Sequence, residues 1–263
     1  MKIRDRRIDS GKPFDWGRTS KDYAKYRDIY PDEFYRRIID RGLCIKGQKV
    51  LDLATGTGVL PRNLYRFGAE WTGTDISPEQ IAQAEILADA GGMKIHFQTV
   101  SAEDLQFPDE SFDVITACQC FWYFDYEKVI PKLARLLKPD GKLVILFMSW
   151  LPFEDETAAG SESLVLKYNP KWSGAGETRH PINLPDIAYE YFTPEDSEVY
   201  DLNVPFTRDS WHGRMRACRG VGASLNDEEL KKWEKEHKEL LEQTVPEQFD
   251  VLHYAALAVL KKK

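Results

Sequence analysis

Between Lys49 and Met148 short apolar runs alternate with amphipathic ones, and this alternation leaves few folds open to the chain. KVLDLA (49–54), EWTGTDI (70–76), MKIHFQTV (93–100), SFDVITAC (111–118) and GKLVILFM (141–148) have the length and side-chain content of strands. Residues 59–67, 78–90 and 127–137 carry helical periodicity between them. Strand, helix, strand, repeated, predicts a parallel sheet with right-handed crossovers and helices on both faces, a doubly wound Rossmann-like α/β core.

The flanks read differently. Tyr23, Tyr26, Ile29 and Tyr30 recur at helical steps, and Pro31 opens a second run with Phe34, Ile38 and Ile39 on one face. Residues 151–196 are rich in Pro, Gly, Glu and Asn, with a short helical stretch at 161–167, and read as a cap inserted after the fifth strand. Strand character returns at 198–206. Helices are expected over 208–219 and, capped by Asn226, over 227–243; the chain closes on the strand FDVLHYAALAVLKKK. A single domain (1–263) is expected: helical lid 1–45, core 46–150, cap with a late core strand 151–245, and C-terminal strand 246–263.

Composition removes several classes. At 263 residues and 42% hydrophobic the chain can bury a core, and its apolar runs fall far short of the ~20 residues of a membrane span. The basic N-terminus has no apolar stretch of the secretory kind, so a cytosolic protein is expected. A net charge of −7 disfavours nonspecific nucleic-acid binding. Four cysteines without CxxC spacing argue against a disulfide scaffold or a zinc site. Cys118 and Cys120, two apart on a strand, would point their thiols to one face near a ligand pocket.

The most informative stretch is VLDLATGTGVL (50–60), a buried strand that ends in a tight turn with Gly56 and Gly58 before a helix. Backbone N–H groups at such a helix start face a crevice at the carboxyl end of the sheet. A dinucleotide site would need G-x-G-x-x-G, and one glycine is missing in either register: Pro61 counted from Gly56, Ala54 counted from 54. Asp52 at the first strand end suits an ammonium rather than a pyrophosphate, and Asp75 at the second can accept from ribose hydroxyls. Together they point to a nucleoside carrying an amino-acid tail.

On these residues the chain resembles the class I S-adenosylmethionine-dependent methyltransferases, in the group that includes ubiquinone-biosynthesis and trans-aconitate methyltransferases. DLATGTG is similar to the first motif, D-x-G-x-G-x-G, with Ala54 and Thr55 in place of Gly and often Cys. Asp75-Ile76 matches the second, implying ribose contact and adenine packing. SAEDLQFPDESFDVI (101–115) resembles the third block, with Ala102 and Glu103 at adenine-edge positions and Ser101 in place of an Asp. LARLLKPDGKLVIL (133–146) resembles the R-x-L-K-P-G-G signature. TSKDYAKYRDIYP (19–31) is similar to the Y-x-x-x-R-P-x-Y-P lid, which implies that Tyr23, Tyr26 and Arg27 close over the methionine moiety. QCFWYFD (119–125) resembles Q-A-L-H-W-F-D, with Trp122 at the His position. The resemblance implies a seven-stranded sheet whose last strand is antiparallel, S-adenosylmethionine as cofactor and S-adenosylhomocysteine as product.

On the acceptor side, Trp122, Tyr123, Trp211, Arg216 and Arg219 are candidate contacts. On a helix His212, Arg216 and Arg219 form one stripe, an anion pocket for an acidic metabolite with His212 as base; the competing reading is a solvated face packed by Trp211. His180 reads as structural or surface. Methyl transfer to a small molecule is the expected activity, with no metal. An NAD(P)-dependent oxidoreductase and a non-catalytic cofactor-binding regulator are the alternatives. Methylation of RNA or protein is disfavoured, though Arg214, Arg216 and Arg219 keep it open. The sequence identifies neither the acceptor nor an oligomeric state.

Overall fold

The computed structural model describes residues 2–263. The N-terminal part contributes α1 (Ser20–Tyr26) and α2 (Asp32–Ile39). The helical periodicity through Ile29 and Tyr30 is not realised: α1 stops at Tyr26, and Pro31 disfavours helical geometry at Tyr30, which stacks on Phe34, ring centroids 4.4 Å apart.

The core follows as β1 (Lys49–Leu53), α3 (Val59–Leu64), β2 (Glu70–Asp75), α4 (Pro78–Ala90), β3 (His96–Thr99), β4 (Phe112–Cys118), α5 (Tyr126–Leu136) and β5 (Leu137–Trp150). Then come α6 (Glu156–Tyr168), α7 (Ala188–Tyr191), β6 (Phe192–Thr207), α8 (Arg208–Arg216), α9 (Asp227–Thr244) and β7 (Gln248–Lys262). One seven-stranded sheet has the order β3-β2-β1-β4-β5-β7-β6. β1 pairs parallel with β2 and β4, β2 with β3, and β4 with β5; the last strands are antiparallel. β1 and β4 lie at the centre and are buried on both faces, as near-continuous apolar runs require. β3 is shorter than its apolar run because it is an edge strand, mostly exposed.

Local signals account for the helix starts. Ser77, with Pro78 at the first helical position, caps α4. Asp155 caps α6, whose start precedes the expected one by five residues, 156 against 161. Thr207/Ser210 and Asn226/Glu229 form reciprocal capping boxes at α8 and α9. α8 stops at Arg216, three residues before the expected 219. Among the described residues no helix is long and apolar enough to cross a membrane.

The chain divides into two compact units. The first holds the chain up to Ile29 with Ser149–Arg179 and Asp201–Tyr254; the second holds Tyr30–Met148, His180–Tyr200 and Ala255–Lys263. This division crosses the expected boundaries, since 151–245 is shared between the two units. The second unit's core gathers Leu51, Leu53, Ile115, Leu133, Leu143 and Ile145 beneath the crest of the parallel strands.

Candidate active site

The crest is level across the central strands. Leu53 of β1 is in register with Thr74 of β2 and Ala117 of β4, and Ala117 with Ile145 of β5. At the next level Ala54 directly follows β1, Asp75 and Cys118 are the last residues of β2 and β4, and β5 runs past this level from Leu146 to Trp150. Beyond β1 the chain makes a tight turn through left-handed residues: Ala54 at φ 45, Gly56 at φ 58 and Gly58 at φ 72, the last capping α3. Ala54 occupies this region with a side chain, a costly choice for an L-residue. The turn needs room as well, because a Cβ on Gly73 in β2 would lie 3.0 Å from Thr55 Cγ2 and 2.9 Å from Phe97.

Two carboxylates hold this turn. Asp75 Oδ2 accepts from the Gly56 N–H (2.9 Å) and Oδ1 from the Ser77 N–H (2.8 Å). Burial raises its carboxyl, against the pull of these N–H groups. Asp52 is fully enclosed: its oxygens accept from the Thr55 and Thr116 hydroxyls, both at 2.6 Å. Burial pushes Asp52 up to about 6, partly opposed by the two hydroxyls. Asp52, expected to face a ligand ammonium, holds the turn through Thr55. Thr57 Oγ1 is buried in the same turn and makes no hydrogen bond among the described residues.

Next to Asp75, Ile76 stands 40% exposed, an apolar surface at the strand end. The Ser101 hydroxyl donates to Asp104 Oδ2 (2.7 Å), and Ala102 is buried. Glu103 Oε1 accepts from the Asp125 N–H (3.0 Å), so Glu103 anchors the start of α5. Gln119 is left-handed at φ 65 and ends β4 at Cys118. The two thiols consequently do not share a strand face: Cys118 Sγ lies 3.6 Å from Tyr30 Oη, while Cys120 Sγ donates to the Leu53 carbonyl at 3.2 Å. Trp122, 37% exposed, meets Phe147 edge-on (4.9 Å, 89°) and lies near Tyr123 (6.0 Å). His180 stacks on Phe147 (5.9 Å, 25°).

The remaining expected residues belong to the first unit. Arg27 lies over the Tyr23 ring, 4.8 Å to its centroid, and Tyr23 packs edge-on against Trp16. Tyr26 donates its hydroxyl to Asp209 (3.1 Å) and packs against Gly213 of α8, where a Cβ would come within 2.3 Å of its ring. The anion-pocket reading is corrected by pairing: Arg216 is bound by Asp22 and Glu234, and Arg219 by Asp9, whose carboxylate is buried. The solvated-face reading is corrected by burial, since Trp211 and His212 are both enclosed. Trp211 Nε1 donates to Ser161 Oγ (2.9 Å), and His212 stacks against both Trp233 (5.3 Å) and His237 (5.2 Å), which also stack on each other (4.6 Å).

The polarity of this network is determined. Ser161 donates its hydroxyl to the Thr157 carbonyl (2.8 Å), so His237 Nε2, 3.0 Å away, must donate to Ser161 Oγ. His237 Nδ1 then accepts from His212 Nδ1 at 2.9 Å. His212 is thereby committed to an interior network.

Residues 51–145 match a family described as a methyltransferase domain. This segment carries the turn, Asp75 and the Ala102 block. Residues 51–145 form a methyltransferase domain. A demethylmenaquinone methyltransferase of Thermus thermophilus is 42% identical over 42% of this chain and 52% of its own length. A ubiquinone biosynthesis O-methyltransferase of Bradyrhizobium diazoefficiens is 32% identical over 55% of this chain and 57% of its own. The chain thus spans little more than half the length of these curated relatives. The crystal structure of YcgJ from Bacillus subtilis superposes with a TM-score of 0.52 at 21% identity, covering 87% of this chain and 98% of that one, which shows the fold. Members of the methyltransferase family with this fold use S-adenosylmethionine.

Sequence reasoning passed over Gly73, Asp104 and Phe147, and read His180 as structural or surface. A glycine inside a strand signals close backbone approach, which could have marked Gly73. Asp104 follows Ser101 at a helical step. Nothing local marks His180, which lies in an irregular segment.

Proposed function

We propose that this chain transfers a methyl group from S-adenosylmethionine to a small-molecule acceptor by in-line displacement. The observation that carries this reading is the Asp75 carboxylate bonded to the Gly56 N–H, which holds the glycine turn open at the crest. The residues fit the cofactor: Asp75 retains acceptor capacity for ribose hydroxyls, Ile76 offers an apolar face to adenine, and the Ser101–Asp104 pair supplies an acceptor for its exocyclic amine. Asp52 and Thr55 keep the turn in shape for the amino-acid tail. When bound, the cofactor supplies a methyl group on a cationic sulfur.

The protein's part is alignment and exclusion of water, which makes a covalent intermediate unnecessary. With Arg216 and Arg219 already ion-paired, support for an acidic acceptor falls away. The relatives named for demethylmenaquinone and ubiquinone biosynthesis favour an acceptor of quinone-biosynthesis chemistry. Calorimetric titration with S-adenosylmethionine and S-adenosylhomocysteine tests the cofactor, and a metabolite screen with methyl-labelled cofactor tests turnover. Binding of NAD with no binding of S-adenosylmethionine would overturn the reading in favour of an oxidoreductase.

A further inference from the structure

Asp52 is buried without a counter-charge. It is 2% exposed, and among the described residues no lysine, arginine or histidine pairs with it. Its titratable neighbours are Asp75 at the end of β2, Cys44 ahead of β1 and Cys120 beyond β4. Asp75 is a second acid, and burial pushes both thiols up, so they stay neutral near pH 7. An ionised carboxylate is costly in such a place, and taking up a proton relieves that cost.

The hydrogen bonds of Asp52 admit that proton. Asp75 is held by the backbone N–H groups of Gly56 and Ser77, which can only donate and so favour its ionised form. Asp52 is held by the Thr55 and Thr116 hydroxyls, and a hydroxyl can donate or accept. The Thr116 hydroxyl also has a second acceptor in reach, the Leu51 carbonyl at 3.5 Å. With Asp52 protonated, Oδ1–H donates to Thr116 Oγ1, and the Thr116 hydrogen turns to Leu51. With Asp52 ionised, that hydrogen turns back to Oδ1. Both forms fit without moving a heavy atom.

Through Thr55 this carboxyl is tied to the glycine turn. S-adenosylmethionine carries an ammonium and a sulfonium against a single carboxylate and is a net cation, whereas S-adenosylhomocysteine, with a neutral sulfur, is not. Opposite charges attract far more strongly in a protein interior than in water. We infer that capture of the cationic methyl donor expels a proton from Asp52, and that the carboxylate so formed favours the donor over its neutral product; this rests on the methyltransferase reading above. The O–H bond of the carboxyl breaks, its electron pair stays on Oδ1, and the proton leaves to water. Asp52 acts by its charge and takes no part in making or breaking the bonds to the methyl group.

The test needs no turnover. Calorimetry at pH 6 in two buffers of different ionisation enthalpy counts the protons released when a ligand binds. With Asp52 held at about 6, wild type is expected to release about half a proton per S-adenosylmethionine bound, and to bind it about tenfold more weakly at pH 5 than at pH 7. S-adenosylhomocysteine should release fewer protons, so that the preference for the donor narrows at pH 5. Asp52→Asn is expected to lose the release and to bind S-adenosylmethionine equally, within about twofold, at pH 5 and pH 7. Thr116→Val removes a donor to the ionised form, so it should release more protons at pH 6 than wild type; it keeps the test open should Asp52→Asn fail to fold. Equal release by wild type and Asp52→Asn overturns the inference, as does equal release with the two ligands, or a Thr116→Val protein that releases no more than wild type. S-adenosylmethionine binding with no proton released overturns this inference alone, whereas no binding at any pH overturns the methyltransferase reading and this inference with it.

Discussion

Asp75 Oδ2 accepts the Gly56 N–H at 2.9 Å, so the end of the second strand holds the turn that leaves the first. The other oxygen secures the Ser77 N–H at the start of α4. One carboxylate thus sets both helix entrances that frame the crevice. In Asp75→Asn the side chain can accept from only one of these N–H groups, and a buried donor left unpaired costs about 1–3 kcal/mol. Affinity for S-adenosylmethionine should fall at least about tenfold, with a lowered melting temperature. Calorimetry and thermal denaturation read the two effects, and wild-type values in both would remove Asp75 from the site.

Ala54 adopts φ 45, where glycine is at home. The left-handed conformation costs an L-residue about 1–2 kcal/mol, while glycine's extra freedom in the unfolded chain takes back about 0.5–1. Ala54→Gly is therefore expected to stabilise the protein by about 0.5–1 kcal/mol in chemical denaturation, without loss of cofactor affinity.

Gly213 faces the Tyr26 ring so closely that a methyl group has no place. Gly213→Ala should cost about 1–3 kcal/mol, the usual penalty of overpacking. In a Tyr26→Ala background the same substitution should cost much less. Equal penalties in the two backgrounds would mean that α1 and α8 do not meet as described.

Acid should destabilise the protein through buried histidines. Burial is the main cause holding His212 down at about 4 and His237 and His253 at about 3, well below an unfolded value near 6.5. A depressed histidine contributes stability that is present above the unfolded value and lost as pH falls toward the folded one. Asp52 acts oppositely: raised to about 6, it contributes stability below its unfolded value that is lost as pH rises through 6. Between pH 6.5 and 4 the three histidines are opposed by Asp52 and by Asp75 and Glu162, whose carboxyls burial also raises; His237 and His253 depart furthest from their unfolded values and set the direction, so stability should fall on acidification. Denaturant titrations across this range should show it, and His253→Phe should flatten the slope by up to about 1.4 kcal/mol per pH unit.

The parallel core was legible because strands buried on both faces must read as apolar runs, and because the glycine turn and Asp75 have local signatures. Boundaries failed where a neighbour decides. Periodicity carried the first helix through Tyr30, but the helix stops at Tyr26. A two-residue pleat placed Cys118 and Cys120 on one face, but the left-handed Gln119 separates them. The side chains of α8 were misread for a deeper reason. Helical spacing shows which residues share a stripe, and what faces that stripe is set by segments far along the chain: Asp22 and Glu234 at Arg216, Asp9 at Arg219, and Trp233 with His237 at His212. The same holds for His180, whose place beside Phe147 depends on a partner 33 residues earlier, 180 against 147.

The ordered run from His212 through His237 to Ser161 and Thr157 has one more consequence. Each group gives its hydrogen to the next, so turning over the His237 ring alone would set two hydrogens or two lone pairs against each other. The two imidazoles must change tautomer in concert or stay as they are, and nitrogen-15 spectra should show one sharp pair of tautomers rather than an average over several.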